Sequence, residues 1–218
     1  MENKEPKAPV EQGAEEAQDI ISRAKANSKL LIGVSVFVLV VIVAILVWFM
    51  VAKDHSAKAD EAIGKADVEQ NDSIALNLYK DAATHGYKSG NRAKIEVAMR
   101  LYQDGKYEEA LEYLKDASVD SDIVESGVLT LEGDCYVNLK QYDAALSCYQ
   151  KAVSAADKNP SIVPIVLVKE ANVYREQQNY EEEARAYKTI LDDYPQFTQM
   201  SSADVRKFYE RAKDQAAQ

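Results

Sequence analysis

The stretch GDCYVNLKQYDAALSCYQKA, from Gly133 to Ala152, decides the fold of this chain. Small residues and tyrosines recur in it at intervals of three, four and seven, which places them on one face of a helix. The polar segment Asn138–Gln141 interrupts this stripe halfway and carries a turn signal. The stretch therefore predicts two antiparallel helices that approach closely at the small residues and are joined by a tight turn.

The same spacing recurs on both sides of this stretch. Its six positions are Gly133, Tyr136, Tyr142, Ala145, Tyr149 and Ala152, and they correspond to Ala98, Leu101, Tyr107, Ala110, Leu114 and Ala117 before them and to Ala171, Tyr174, Tyr180, Glu183, Tyr187 and Ile190 after them. A half-match at Ala75, Tyr79 and Ala82 precedes all three. One such helix pair cannot bury its apolar face alone, so the pattern predicts an all-α solenoid of stacked helical hairpins.

The pattern resembles the tetratricopeptide repeat, which has a period of about 34 residues. The resemblance is carried by the opening stretch, by Tyr107–Leu111 and by Asn179–Pro195. It implies that residues 53–197 form a tetratricopeptide repeat domain of about four hairpins, the first of them degenerate. Acidic residues depart from the pattern where small or apolar ones are usual, at Glu132, Glu170 and Glu183. They either pair with basic neighbours across repeats or mark looser packing in the final pair.

The residues after the repeats predict one more helix. Ser201–Asp204 has the form of a capping box, and an apolar stripe follows at Val205, Phe208, Tyr209 and Ala212. We interpret residues 198–218 as a C-terminal capping helix with an end that frays from Asp214, because solenoid ends need polar-faced caps. A partner-binding helix is the alternative.

An uninterrupted apolar run occupies residues 30–52. Its 23 residues carry no charge. As a helix it would span about 34 Å, against about 30 Å for the hydrocarbon core of a bilayer. The run is longer than the apolar part of a signal peptide, which favours a transmembrane helix. We expect only a few residues between Ala52 and the first helix of the repeats.

The basic residues nearest to the run indicate its orientation. Arg23, Lys25 and Lys29 precede it without acidic neighbours, whereas the lysines beyond Ala52 are mixed with aspartates and glutamates. This asymmetry predicts that residues 1–29 are a partly disordered cytoplasmic tail. The repeat domain would then be periplasmic, and the protein would be a single-pass protein of the bacterial inner (cytoplasmic) membrane.

This layout resembles that of the ancillary subunit family of the bacterial SecYEG translocon. The resemblance implies a membrane-anchored scaffold that binds a protein partner from the translocon or the envelope machinery, with lipid contacted through the transmembrane helix. Two other functions are left open. They are a periplasmic holdase-type chaperone for exported chains and a structural subunit of a membrane complex.

Residue types that support catalysis or cofactor binding form no recognisable pattern. His55 and His85 have no metal-ligand spacing and are expected to face solvent. Cys135 and Cys148 fall in predicted helices and are expected to be buried thiols. The net charge of −10 argues against nucleic acid. We therefore predict no enzyme activity, cofactor, metal or small-molecule substrate.

Protein binding is the role that the architecture favours, because the first helices of stacked hairpins line a concave surface. The candidate partner-binding groove consists of Arg92, Ile95, Met99, Tyr102, Thr130, Asp134, Val137, Asn138, Ile165, Val168, Asn172 and Arg175. Tetratricopeptide domains that clamp a C-terminal carboxylate use lysines and asparagines at such positions. Most of these are replaced here by Ile95, Met99, Thr130 and Asp134. The groove better suits an amphipathic segment or a folded partner, with a partly exposed face without a dedicated ligand as the alternative.

Overall fold

The computed structural model describes residues 18, 28–85, 87–200 and 205–218, and this part of the chain is helical without strands. The helices are α1 Ser28–Val68, α2 Asp72–Thr84, α3 Tyr87–Gln103, α4 Tyr107–Lys115, α5 Asp122–Asn138, α6 Tyr142–Ala155, α7 Val163–Glu176, α8 Tyr180–Asp193, α9 Pro195–Met200 and α10 Val205–Ala216. The predicted fold class, an N-terminal apolar helix followed by a solenoid of helical hairpins, is confirmed. Most of the predicted tail and the predicted capping box at 201–204 lie outside the described residues.

The chain divides after Asp54 into two compact units. In the first unit, every large apolar side chain from Ile32 to Val51 is exposed. Helix α1 is long and apolar enough to cross a membrane, with a mean hydropathy of 3.2 over its most apolar window. We expected a few residues between Ala52 and the first helix of the repeats, but α1 continues without interruption to Val68. Residues 53–68 are mainly alanines and charged residues, and the segment contains no proline. These residue types are compatible with a helix, so the helix continues.

The second unit begins with the last part of α1, which packs as the first helix of a hairpin with α2. Ala59, Ala62, Ile63 and Ala66 lie on one face of α1 and are buried. They join the same apolar cluster as Tyr79 of α2. The Tyr79 hydroxyl also donates a hydrogen bond to Asp67 of α1.

Three hairpins with tight turns follow: α3 with α4, α5 with α6, and α7 with α8. The turns share one backbone geometry, in which Gly105, Lys140 and Gln178 have positive φ angles of 77°, 59° and 59°. In each turn the next amide donates to the carbonyl five residues back, as Gln141 does to Tyr136 at 2.8 Å. This is the Schellman arrangement that ends a helix and satisfies its last carbonyls. Its repetition sets the same geometry in all three pairs.

Gly133 permits a close helix approach inside the α5–α6 hairpin. A Cβ atom built on Gly133 would lie 2.4 Å from Cε1 of Tyr149. The Tyr149 ring is almost fully buried and belongs to the core between α6 and α7. Gly133 therefore provides the space into which the tyrosine of the paired helix packs.

Helix α10 closes the array by packing on α8. Val205 and Ala212 are fully buried, and the Phe208 ring lies 5.7 Å from that of Tyr187. The opposite side of α10 is charged and exposed, as expected of a cap. The helix extends to Ala216, beyond Asp214, where we expected fraying to begin.

Candidate partner-binding groove

The twelve predicted groove residues lie on the first helices of the three tight-turn hairpins, α3, α5 and α7. All twelve side chains are exposed or half-buried. The repeat register makes Met99, Asp134 and Asn172 equivalent positions on the three helices. Their accessibility satisfies the first requirement for contact with a partner.

Four of these residues meet in one cleft of about 380 Å³ between α5 and α7, here called the α5–α7 cleft. Its lining consists of Asp134, Val137, Tyr142, Tyr149, Lys169, Asn172, Val173, Arg175 and Glu176. Of the predicted groove residues, Asp134, Val137, Asn172 and Arg175 belong to it. The lining of the cleft thus combines carboxylate, amide and guanidinium groups with two valines.

Asp134 is held in place by two donors in this cleft. Lys169 Nζ lies 2.9 Å from Oδ1 and 2.8 Å from Oδ2, and the Tyr149 hydroxyl donates to Oδ1 at 2.7 Å. Burial, together with the neighbouring Asp134 charge, raises the pKa of Tyr149, so its hydroxyl stays protonated as a donor. Both carboxylate oxygens are engaged, and the Lys169–Asp134 pair joins α5 to α7.

A larger cleft of about 530 Å³ lies between α3 and the segment that leads into α5, here called the α3–α5 cleft. Its lining consists of Lys88, Asn91, Arg92, Ile95, Glu96, Ser118, Val119, Asp120, Ser121 and Val124. Arg92 and Ile95 are the predicted groove residues in it. Arg92 Nη2 lies 3.7 Å from Oδ2 of Asp67, an exposed pair that contributes little.

The remaining predicted residues lie outside both clefts. Asn138 Nδ2 donates to the Tyr102 hydroxyl at 3.4 Å, which joins α5 to α3. Met99 and Ile165 are 43% and 48% exposed, which makes them apolar contact points. Thr130 and Val168 are half-buried. The predicted groove is therefore two clefts with exposed apolar residues around them rather than one pocket.

Sequence reasoning missed several lining residues. Lys169 lies three residues before Asn172, so helical periodicity could have placed it on the same face of α7. Val119 and Val124 line the α3–α5 cleft from the α4–α5 connection and the first turn of α5. A connecting segment has no periodic pattern, and only the tertiary structure places it.

The two histidines do not fit their predicted place in solvent. His55 and His85 are half-buried, and their rings lie 5.8 Å apart at an angle of 64°. Among the described residues no group of three or more histidine, cysteine, aspartate or glutamate side chains could hold a metal ion. The two rings therefore pack against each other in the second unit.

The two cysteines are free and buried, as predicted. Burial raises the pKa of Cys135 to about 12 and that of Cys148 to about 11. A thiol with such a pKa holds almost no thiolate at neutral pH, and the thiolate is the nucleophile. Both side chains therefore serve packing.

The three acidic departures from the repeat pattern have different environments. Glu183 is fully buried and pairs with Arg211 of α10 at 2.5 Å, which favours the first of the two predicted explanations. Glu170 is buried and accepts a hydrogen bond from the Tyr174 hydroxyl at 3.3 Å. Glu132 is half-buried beside Cys148. Burial raises the pKa of both Glu132 and Glu170.

Comparison with known proteins identifies the repeats. Residues 127–159 and 166–196 each match a tetratricopeptide repeat family. A crystal structure of MamA protein superposes with a TM-score of 0.50 at 15% identity, covering 77% of this chain and 88% of that one. A second MamA crystal structure has a TM-score of 0.49 at 15% identity, with coverages of 66% and 88%. No curated protein matches the chain. The first superposition shows a shared fold, and the two family matches identify residues 127–159 and 166–196 as tetratricopeptide repeats.

Proposed function

We propose that this protein is a single-pass membrane-anchored scaffold that binds a protein partner along the first helices of its repeats. Tetratricopeptide repeats support a role in protein–protein interaction. The observation that carries the membrane part is the exposure of the apolar side chains from Ile32 to Val51. So large a contiguous apolar surface is unfavourable in water and matches the thickness of a bilayer.

The chemistry of the two clefts supports an amphipathic partner segment. The α3–α5 cleft offers Ile95, Val119 and Val124 as apolar contacts. The α5–α7 cleft offers the amide of Asn172 and the guanidinium of Arg175. A segment with apolar side chains towards the first cleft and polar ones towards the second would use both.

The proposed location is the bacterial inner membrane, with the N-terminus cytoplasmic and the repeats periplasmic. The basic residues before the apolar run support this orientation. The resemblance in layout to the ancillary translocon subunit family supports a partner in the translocon or the envelope machinery. The repeats follow the apolar run directly in sequence, so a partner near the membrane would be within reach.

Protease treatment of bacterial cells that express the full chain tests the location. In spheroplasts we expect external protease to digest the repeat domain, and we expect the chain to stay in the membrane pellet after alkaline extraction. Digestion that requires lysis of the inner membrane would contradict the periplasmic placement. Release of the chain by alkaline extraction would contradict the anchor.

Site-specific photo-crosslinking tests the binding face. A crosslinking residue is placed at Ile165, which is 48% exposed on α7, and at Ile74, which is 49% exposed on α2 outside the candidate groove. We expect a translocon or envelope protein to crosslink at Ile165 and not at the matched control Ile74. Equal crosslinking at both positions, or recovery of no envelope protein at Ile165, would contradict the proposal.

A further inference from the structure

Helix α8 carries a charge where the other repeats carry alanine. Glu183 occupies the position of Ala110 and Ala145, and its side chain is 0% exposed. Its carboxylate is 2.5 Å from Nη2 of Arg211, the only residue with which it forms a hydrogen bond in the described part of the chain. A buried carboxylate needs such a cation, because an uncompensated charge in the interior is strongly unfavourable.

Polar atoms of Glu183 and of α10 are buried without partners. Oε2 of Glu183, Nε of Arg211 and Oε1 of Gln215 are buried without a hydrogen bond. Within the described residues, Nε of Arg100 is the only other side-chain nitrogen or oxygen atom that is buried without a hydrogen bond. Unsatisfied buried polar atoms oppose docking, since water would satisfy them once the helix is released. The docking of α10 on α8 is therefore less stable than its apolar contacts alone would make it.

The contacts of α10 define what this face of α8 recognises. The Phe208 ring lies 5.7 Å from that of Tyr187, and the Arg211 guanidinium lies 5.3 Å from the Phe208 ring. Ala212 is fully buried beside them. The recognised pattern is an aromatic residue, an arginine three positions later and a small residue directly after it, all on one face of a helix.

We propose that the face of α8 under α10 is a second partner-binding site and that α10 is its intramolecular occupant. The partner is an amphipathic helix that presents an arginine to Glu183 and an aromatic ring to Tyr187. A helix without the cation is rejected, because it would leave Glu183 buried and uncompensated. The site is distinct from the proposed groove, since α8 is the second helix of its hairpin and carries none of the groove residues.

The test uses the full chain in detergent micelles and a fluorescent peptide with the sequence of residues 205–218. In the Arg211→Ala chain the internal occupant lacks its cation. We expect this variant to bind the peptide at least about 100-fold more tightly than the unmodified chain, whose own α10 occupies the site. Fluorescence anisotropy measures the binding. Hydrogen exchange of α10 amides should rise in the same variant.

The matched peptide with alanine in place of Arg211 tests recognition of the cation. It should bind the Arg211→Ala chain about 100-fold more weakly than the arginine peptide does. In the double variant Glu183→Ala with Arg211→Ala, which restores the alanine of the other repeats, both peptides should bind equally. Equal affinity for both peptides in the Arg211→Ala chain, or binding of neither, would overturn the proposal.

If the Arg211→Ala chain does not fold, which far-UV circular dichroism would detect, Glu183→Gln is used as a second variant. Glu183→Gln keeps the size of the side chain and removes its charge. We expect the Glu183→Gln chain to show faster exchange in α10 than the unmodified chain and no discrimination between the two peptides. Retained preference for the arginine peptide in this variant would overturn the role of Glu183.

Discussion

Gly133 shows how one residue sets the distance between two helices. Its missing side chain makes room for the ring of Tyr149, whose hydroxyl also fixes Asp134 in the α5–α7 cleft. The Tyr149 side chain therefore belongs both to the core of a repeat and to the surface that we propose for binding. A change at this glycine should affect stability through packing rather than through helix propensity.

We predict that Gly133→Ala destabilises the chain by about 2 kcal/mol, because the new methyl group would overlap the Tyr149 ring. Gly127→Ala is the matched control on the same helix, since a Cβ atom there meets nothing within 4 Å. The control should stabilise by about 0.5–1 kcal/mol through helix propensity. Urea unfolding followed by circular dichroism measures both. A stabilising Gly133→Ala would contradict the packing described.

Glu170 provides a prediction about pH. Burial raises its pKa above the ordinary 4.5, so the folded state binds more protons than the unfolded state just above that pH. Stability should therefore fall as pH rises from 4.5 through the folded-state pKa and stay lower beyond it.

Glu170→Gln removes this titration while keeping an acceptor for the Tyr174 hydroxyl. We expect the variant to be more stable than the unmodified chain at pH 7. The difference should vanish below the ordinary glutamate pKa, where the carboxyl is protonated in both states. Thermal unfolding at the two pH values measures this. A variant that is less stable at pH 7 would contradict the predicted direction.

At the level of secondary-structure elements, the three tight turns repeat one backbone geometry with different residues. Glycine occupies the left-handed position in the first turn, but Lys140 and Gln178 occupy it in the others. Side chains with a Cβ atom adopt this conformation at a cost of roughly 1–2 kcal/mol. The turns therefore retain strain that the repeat architecture tolerates.

We predict that Lys140→Gly stabilises the chain by about 0.5–1 kcal/mol, because relief of this strain outweighs the added entropy of the unfolded chain. Gln141→Gly is the control in the same turn. Gln141 has a φ of −92°, so glycine brings no relief there and should destabilise by about 0.5–1 kcal/mol. The urea midpoint measures both changes. Equal shifts in the two variants would contradict the strain at Lys140.

At the level of the whole molecule, the repeat unit includes the end of α1. Ala59, Ala62, Ile63 and Ala66 are buried in the same cluster as the first residues of the repeats proper. A domain boundary placed at the end of this helix would cut through a hydrophobic core. A boundary after Asp54 leaves that core complete.

We therefore predict that a fragment of residues 55–218 is soluble, helical and cooperatively folded. A fragment of residues 69–218 lacks the α1 residues that share a buried cluster with Ala75, Tyr79 and Ala82, and we expect it to aggregate or unfold at lower temperature. Size-exclusion chromatography and thermal unfolding compare the two fragments. Equal stability of both would show that the end of α1 is dispensable for the fold.

The amino-acid sequence by itself determined the apolar run, the repeat register, the three tight turns and the all-α solenoid. These features depend on helical periodicity and on contacts between neighbouring repeats, which are local in sequence. It also placed the twelve groove candidates on accessible faces of α3, α5 and α7, and whether they bind a partner stays a prediction.

The tertiary structure alone decided that α1 runs on to Val68, that the groove candidates separate into two clefts, and that Glu183 pairs with Arg211. It also revealed the ion pair between Lys169 and Asp134 and the ring contact between His55 and His85. Each of these pairs joins residues about 30 positions apart, on different helices or, for His85, in the turn directly after α2. Periodicity specifies which face of a helix a side chain occupies, but the partner opposite that face depends on how successive hairpins are offset when they stack.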